Sequence, residues 1–318
     1  MCLAFFIAFG QASKVKEIIF DTDMGPDYDD VGAMAMLHAY ADSGYIRILA
    51  TVASTKYKGV AGVLNVFNTY FRRPDIPIGI AKDNGPDLKD FQHWTDTLLA
   101  NYPHIITDNE QVPDAVDVYR KVLSRQPDNT VIIITVGFFT NLSNLLKSGG
   151  DQYSPLTGLQ LIRKKVKLLV SMAGRFPSGK EFNIEKDANS SQYVFEHWQT
   201  PVIFSGFEIG QQIKTGLPLI HMQEIKNSPV KDVFRICIPM GKNDSAGRMS
   251  WDETAVLVAV KGYAPFYTLH KGKILIASDG SNAWDENGKH QSYLAEHMQP
   301  EAVQEIINAA IMHSNKKK

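Results

Sequence analysis

Short runs rich in Val, Ile and Leu recur at Glu17–Phe20, Ile46–Ala53, Ile76–Ile80, Val131–Val136, Lys167–Met172 and Pro201–Ser205. Apolar residues at successive rather than alternate positions are what strands buried on both faces require. Between the runs lie amphipathic stretches, among them Gly59–Phe71, Asp114–Ser124 and Ser190–His197, and Pro300–His313 closes the chain as a terminal amphipathic helix. This rhythm predicts a mostly parallel central sheet flanked by helices, the Rossmann-like α/β class. The chain has 318 residues, ample for a buried core. No repeat, low-complexity linker or composition break divides it, so residues 13–318 are expected to form a single domain.

In such sheets the functional site sits at the carboxyl ends of the strands. The segment after the first run is Asp21-Thr22-Asp23-Met24-Gly25-Pro26-Asp27-Tyr28-Asp29-Asp30, five carboxylates within ten residues. Partly desolvated, they repel one another by several kcal/mol unless a cation lies among them. Hard oxygen donors of this kind suit Ca²⁺ or Mg²⁺. Other informative residues follow later strands in the same way: Ser54-Thr55 the second, Gly137–Asn141 the fourth, and Ala173–Asn183 the fifth.

Composition narrows the function classes. A net charge of −1 carries no basic excess for a nucleic-acid footprint, and Lys316-Lys317-Lys318 is read as a solvated tail. Cys2 and Cys237 alone cannot build a disulfide framework or a cysteine zinc site. The apolar start, residues 1–12, has Gly10 and Ala12 at the −3 and −1 positions of a signal-peptide cleavage site, although a positive n-region is missing. Export to the periplasm or medium is the expectation, with a buried first strand in a cytoplasmic protein as the alternative. No other stretch approaches the ~20 apolar residues of a membrane span, so no membrane partner is expected.

Three chemistries compete for the aspartate run. An EF-hand loop needs Gly at its sixth position and Glu at its twelfth, where this chain has Pro26 and Gly32. A haloacid-dehalogenase phosphatase opens with a strand and Asp-x-Asp, but continues with Gly-Thr or similar where this chain has Met24-Gly25-Pro26. The third is a metal site opening a parallel α/β hydrolase.

Four separated motifs favour the third. They are the aspartate run, Thr135-Val136-Gly137-Phe138-Phe139-Thr140-Asn141-Leu142, Met172-Ala173-Gly174 with Glu181-Phe182-Asn183-Ile184 and Asp187, and Ser250-Trp251-Asp252-Glu253. In this order the chain resembles the nucleoside hydrolase family, the inosine–uridine-preferring type and its relatives, from about Lys16 to Lys261. It departs by two extra residues between Pro26 and Asp29, by Ser54-Thr55-Lys56-Tyr57 where many members have Gly-Asn, and by a shortened loop before Glu181.

The resemblance implies hydrolysis of the N-glycosidic bond of ribonucleosides to free base and ribose, with Ca²⁺ as cofactor. It implies Asp23, Asp30, Asp252 and the Val136 carbonyl as ion ligands, and Asp23 as the base that activates water. Asp29, Met172, Glu181 and Asn183 would surround the ribose and Trp251 would stack on the base. The insertion leaves Asp27 and Asp29 as rivals for one sugar contact; Asp29 is preferred because it adjoins Asp30. Relatives commonly assemble as dimers or tetramers, so a homo-oligomer is expected. The leaving-group acid stays open, since Gln92-His93-Trp94 is only a nearby substitute for the family's His-Gly segment. A nucleoside- or ribose-binding protein that has lost catalysis on the same fold, or another metal-dependent hydrolase, is the alternative function.

Overall fold

The computed structural model describes residues 15–82 and 84–314; the apolar start and the terminal lysines lie outside the described residues. Its strands are β1 (Lys16–Thr22), β2 (Ile46–Ala53), β3 (Ile78–Ile80), β4 (Val131–Thr135), β5 (Val166–Met172), β6 (Ser178–Lys180), β7 (Val202–Ser205), β8 (Lys214–Thr215), β9 (Arg248–Met249), β10 (Tyr267–Ile276), β11 (Ser281–Asp285) and β12 (Gln291–Glu296).

Ten of them form one sheet in the order β3-β2-β1-β4-β5-β7-β12-β10-β11-β6, and β8 pairs with β9 as a small antiparallel ribbon. Pairing is parallel from β3 to β12. The hairpin strands β10, β11 and β6 extend the sheet in antiparallel fashion. The core strands are buried on both faces for a reason visible in their residues. Ile18, Phe20, Ile132 and Ile134 enter one apolar cluster, while the intervening Ile19, Val131 and Ile133 enter the other. Alternate side chains point to opposite faces of a strand, so a strand covered on both sides has no polar positions to spare.

Helices Asp29–Asp42, Val60–Tyr70, Trp251–Lys261 and Pro300–Ile311 cover the first face, and Ala115–Ser124, Thr140–Lys147, Gly158–Lys165 and Ala188–His197 the second. Strand order runs outward in opposite directions from β1 and β4. Their carboxyl ends therefore diverge into a crevice, the place where open α/β sheets bind ligands. No helix among the described residues is long and apolar enough to cross a membrane.

The helix Asp29–Asp42 is buried on every side from Asp29 to Tyr40. Gly32 permits its close packing on the helix Trp251–Lys261, since a Cβ there would stand 2.1 Å from Glu253 Oε1. One buried polar side chain in this helix has a pH consequence. His38 stacks on Phe71 with ring centroids 4.5 Å apart and touches Asn68 Oδ1 through Nε2 at 3.2 Å. Burial, helped by the Arg73 charge, lowers its pKa to about 3. The unfolded chain, with a histidine pKa near 6.5, takes up a proton that the folded chain refuses. Stability present above pH 6.5 is therefore lost as pH falls toward 3, by about 2 kcal/mol between pH 6.5 and 5. Replacing His38 by Gln should flatten that part of the stability–pH curve; an unchanged slope in chemical denaturation would rule the mechanism out.

Candidate active site at the switch point of the sheet

The backbone leaving β1 turns at Gly25 and enters the helix Asp29–Asp42, so the aspartate run wraps the end of the strand. Asp21 faces away from the crevice. Its carboxylate accepts hydrogen bonds from Tyr119 Oη at 2.8 Å and Asn141 Nδ2 at 3.0 Å, and Asn141 Nδ2 also reaches the Ala53 carbonyl. Asp21 thus ties β1, β2 and the turn after β4 together; burial pushes its pKa up to about 7 against those two bonds.

The glycine of that turn has a packing role. A Cβ on Gly137 would lie 2.3 Å from the backbone nitrogen of Asp23 and 2.7 Å from its Cβ, so only glycine lets the two strand ends close on each other. Ser54 occupies the same junction: its Oγ donates to the Thr22 carbonyl and accepts from the Phe138 N–H. Asp187 caps the helix that follows, taking the Phe139 N–H at 3.0 Å and the Thr140 hydroxyl at 2.7 Å.

The crevice holds a cleft whose acidic wall carries Asp23, Asp29, Asp30 and Asp252. Val136, Met172, Glu181, Asn183 and Trp251 also line it, so all nine candidate residues open onto one space. Asp27, Phe182 and Phe207 line it as well. His93 does not; its side chain is 76% exposed beside Asp96, and no histidine lines the cleft among the described residues.

Two helix amino termini meet at the acidic wall. Asp29 and Asp30 occupy the first turn of one helix, and Asp252 and Glu253 the first turn of the other. Their unpaired N–H groups partly offset the carboxylate charge. Asp29 takes the most compensation: its Oδ2 accepts the N–H groups of Trp251 and Asp252 at 3.2 and 3.3 Å. Its Oδ1 accepts Nε and Nη2 of Arg248 at 3.2 and 2.9 Å.

Arg248 went unnoticed in the sequence. It stands on β9, is buried, pairs also with Asp27, and lies over the rings of Tyr28 and Trp251 at 4.7 and 5.0 Å. Its one local sign is position: a single cation three residues before the Trp-Asp pair, in an otherwise uncharged stretch from Ser245 to Trp251.

Asp23, Asp30 and Asp252 have no such cation among the described residues. Burial raises the pKa of each well above the ordinary carboxylate value, and neighbouring aspartates add to the rise. Asp30 Oδ1 accepts the Thr22 hydroxyl, while Asp30 Oδ2 is buried with no hydrogen-bond partner among the described residues. Carboxylate oxygens of Asp30 and Asp252 lie within 4.8 Å of each other and of Asp29, which is already paired with Arg248; the group does not include Asp23. An orphaned carboxylate oxygen inside a group of mutually repelling carboxylates is the signature of a hard divalent-cation site, and the donor set fits one. A divalent cation at 100 times its dissociation constant is expected to stabilise the fold by roughly 2.7 kcal/mol. Asp252→Asn should blunt that gain; identical melting curves with cation and with chelator would contradict it.

Glu181 and Asn183 are held by backbone groups. Glu181 begins the short helix Phe182–Lys186, and its carboxylate accepts the N–H groups of Asn183, Gly174 and Ile184 at 2.7, 3.1 and 3.3 Å. Burial still moves its pKa up to about 7. Asn183 Nδ2 donates to the Val136 carbonyl at 2.9 Å and the Met172 carbonyl at 3.3 Å, which leaves Oδ1 as its acceptor. Phe207 and Trp251 pack at 5.2 Å with their planes 30° apart, and the indole N–H is committed to the Phe207 carbonyl at 2.8 Å.

Comparison with known proteins gives the family and the fold. The family model described as inosine-uridine preferring nucleoside hydrolase matches residues 18–309. The chain belongs to this family of N-glycosyl hydrolases. Among curated relatives, the pyrimidine-specific ribonucleoside hydrolase RihA of Shewanella sp. (strain MR-7) is 24% identical over 232 residues, 71% of this chain and 67% of the relative. Among solved structures, the plant nucleoside hydrolase PpNRh1 superposes with a TM-score of 0.73 at 17% identity, covering 93% of this chain and 99% of that one. The purine-preferring ribonucleoside hydrolase from Gardnerella vaginalis gives 0.72 at 15% identity, covering 93% and 98%. At those identities the structures speak for the fold.

Proposed function

We propose that the protein is a Ca²⁺-dependent ribonucleoside hydrolase that releases a free base and ribose. The observation that carries this reading is the meeting, in one cleft, of the uncompensated carboxylates Asp23, Asp30 and Asp252 with polar and aromatic side chains. N-glycosidic cleavage develops positive charge on the sugar, as O-glycosidic cleavage does, and fixed carboxylates stabilise it without reorganising. Asp23, Asp30, Asp252 and the Val136 carbonyl would hold the ion. When bound, Ca²⁺ supplies a lowered pKa for a coordinated water and a grip on sugar hydroxyls.

Asp23 is the general base: it lines the cleft beside Asp30 and Asp27, where an ionised carboxylate can take a proton from water. Asn183 Oδ1 accepts a ribose hydroxyl, because its Nδ2 is already committed to Val136 and Met172. Phe207, Trp251 and Phe182 receive the base through their faces. No histidine of the described chain lines the cleft and the indole N–H is spent, so water protonates the departing base. Stacking of ~1–3 kcal/mol per base favours the larger purine face. A purine preference is therefore expected, as in the Gardnerella protein and unlike the Shewanella one.

The test is reducing-sugar release from a panel of purine and pyrimidine ribonucleosides, with Ca²⁺ and with chelator. Turnover that depends on the cation and is faster on purines is the expected result. No turnover on any member, with ribose still bound, would instead make the chain a binding protein.

A further inference from the structure

The reading above places ribose in the cleft, and on that basis we propose that Asp27, rather than Asp29, is the inserted segment's contact to a ribose hydroxyl. Arg248 is the positioning residue that presents it.

Acceptor capacity separates the two aspartates. A carboxylate offers about four lone-pair sites. Asp29 has used all four, two on Arg248 and two on the N–H groups of Trp251 and Asp252, and its side chain is 2% exposed. A substrate hydroxyl could bind it only by displacing one of these partners. Asp27 spends one oxygen: its Oδ1 accepts from Arg248 and from the Tyr28 N–H at 3.0 Å. Asp27 Oδ2 has no hydrogen-bond partner among the described residues, the side chain is 40% exposed, and it lines the cleft.

The residues that surround Asp27 explain why it stays aimed. The Arg248 guanidinium contacts Asp27 and Asp29 together and rests between the rings of Tyr28 and Trp251. Tyr28 is fixed from its far end, where its hydroxyl donates to Asp244 Oδ2 at 2.6 Å. The guanidinium fork holds two carboxylates in fixed relative positions, which a lysine ammonium could not do as well. The extra residues after Pro26 thus carry a second acidic side chain to the cleft while Asp29 becomes a strut between two helices.

The experiment measures binding of 1,4-anhydro-D-ribitol, a furanose with no bond to hydrolyse, and its 2-, 3- and 5-deoxy derivatives, to the Ca²⁺-loaded protein by calorimetry. Asp27→Asn should weaken the parent sugar by roughly 10- to 100-fold, the value of one hydrogen bond to a charged group. It should leave one deoxy sugar nearly unaffected, the one that lacks the hydroxyl concerned. Asp29→Asn should affect all four sugars alike and lower the melting temperature. Arg248→Lys should reproduce the hydroxyl-specific loss in weaker form, raise KM more than it lowers kcat, and add little to Asp27→Asn in the double variant.

Wild-type affinity in Asp27→Asn, a hydroxyl-specific loss in Asp29→Asn instead, or a wild type that binds no sugar overturns the assignment. An equal loss on all sugars in Arg248→Lys overturns its positioning role. A wild type that shows the Asp27 pattern yet releases no base overturns the hydrolase reading alone.

Discussion

Asp23→Asn is expected to lower kcat by about 10³-fold or more while making the cation-free protein more stable. The two effects have one origin. Asp23 is buried beside Asp30 and Asp27, and each neighbour raises the cost of its ionised form. An amide of the same shape cannot take a proton from water, and a positioned general base is worth roughly 10²–10⁴-fold in rate. Loss of the proposed ion ligand adds to that. The same amide removes one charge from a group whose members repel, so the fold gains what catalysis loses.

The pH dependence gives a second readout in the presence of chelator. A carboxyl whose folded pKa is raised binds its proton more tightly folded than unfolded. Its contribution to stability is present at low pH and is lost as pH rises through the folded pKa. The cation-free wild type should therefore lose stability between acid and neutral pH through Asp23, Asp30 and Asp252, and the Asn variant should lose less. Steady-state kinetics with Ca²⁺ and melting curves with chelator at pH 5 and 8 decide it. A variant with wild-type kcat removes Asp23 from the base role; a variant less stable than wild type at pH 8 removes the repulsion argument.

The parallel half of the sheet was legible because burial on both faces leaves a continuous apolar run, as in Ile132–Ile134. The hairpin half was not. In β10 exposed and buried positions are mixed, with Lys271 and Lys273 on the strand, and the pattern has neither a clean period of two nor a continuous run. Strands β8 and β9 have two residues each, too few to show any period.

The site divides in the same way. Asp23, Asp30, Val136, Glu181, Asn183 and Asp252 could be picked out because the motifs that carry them resemble those of a known family. What each side chain spends its lone pairs on could not. Glu181 gives its oxygens to three backbone N–H groups, and Asp29 meets Arg248 across a separation of 219 residues. A long-range ion pair has no sequence period; it exists only once β9 is folded against the aspartate run.

That pairing makes Arg248→Met strongly destabilising, by about 3–5 kcal/mol. Methionine keeps most of the apolar stem, so the loss measures the guanidinium. Removing it strands Asp29, a buried carboxylate beside Asp30, with only two backbone N–H groups for support. Burial already lifts the Asp29 pKa to about 6 against the Arg248 charge, so without that charge the carboxylate must take up a proton or open the wall. Asp244, 3.7 Å from the guanidinium and bonded to Tyr28, loses its cation as well. The double variant Arg248→Met with Asp29→Asn should recover more than half of the loss, because a buried neutral group costs far less than a buried unpaired charge. Urea denaturation of the two singles and the double, with chelator present, measures both numbers. A single variant within about 1 kcal/mol of wild type, or a double no more stable than the single, would mean that the helix amino termini alone hold Asp29 and that Arg248 is dispensable to the wall.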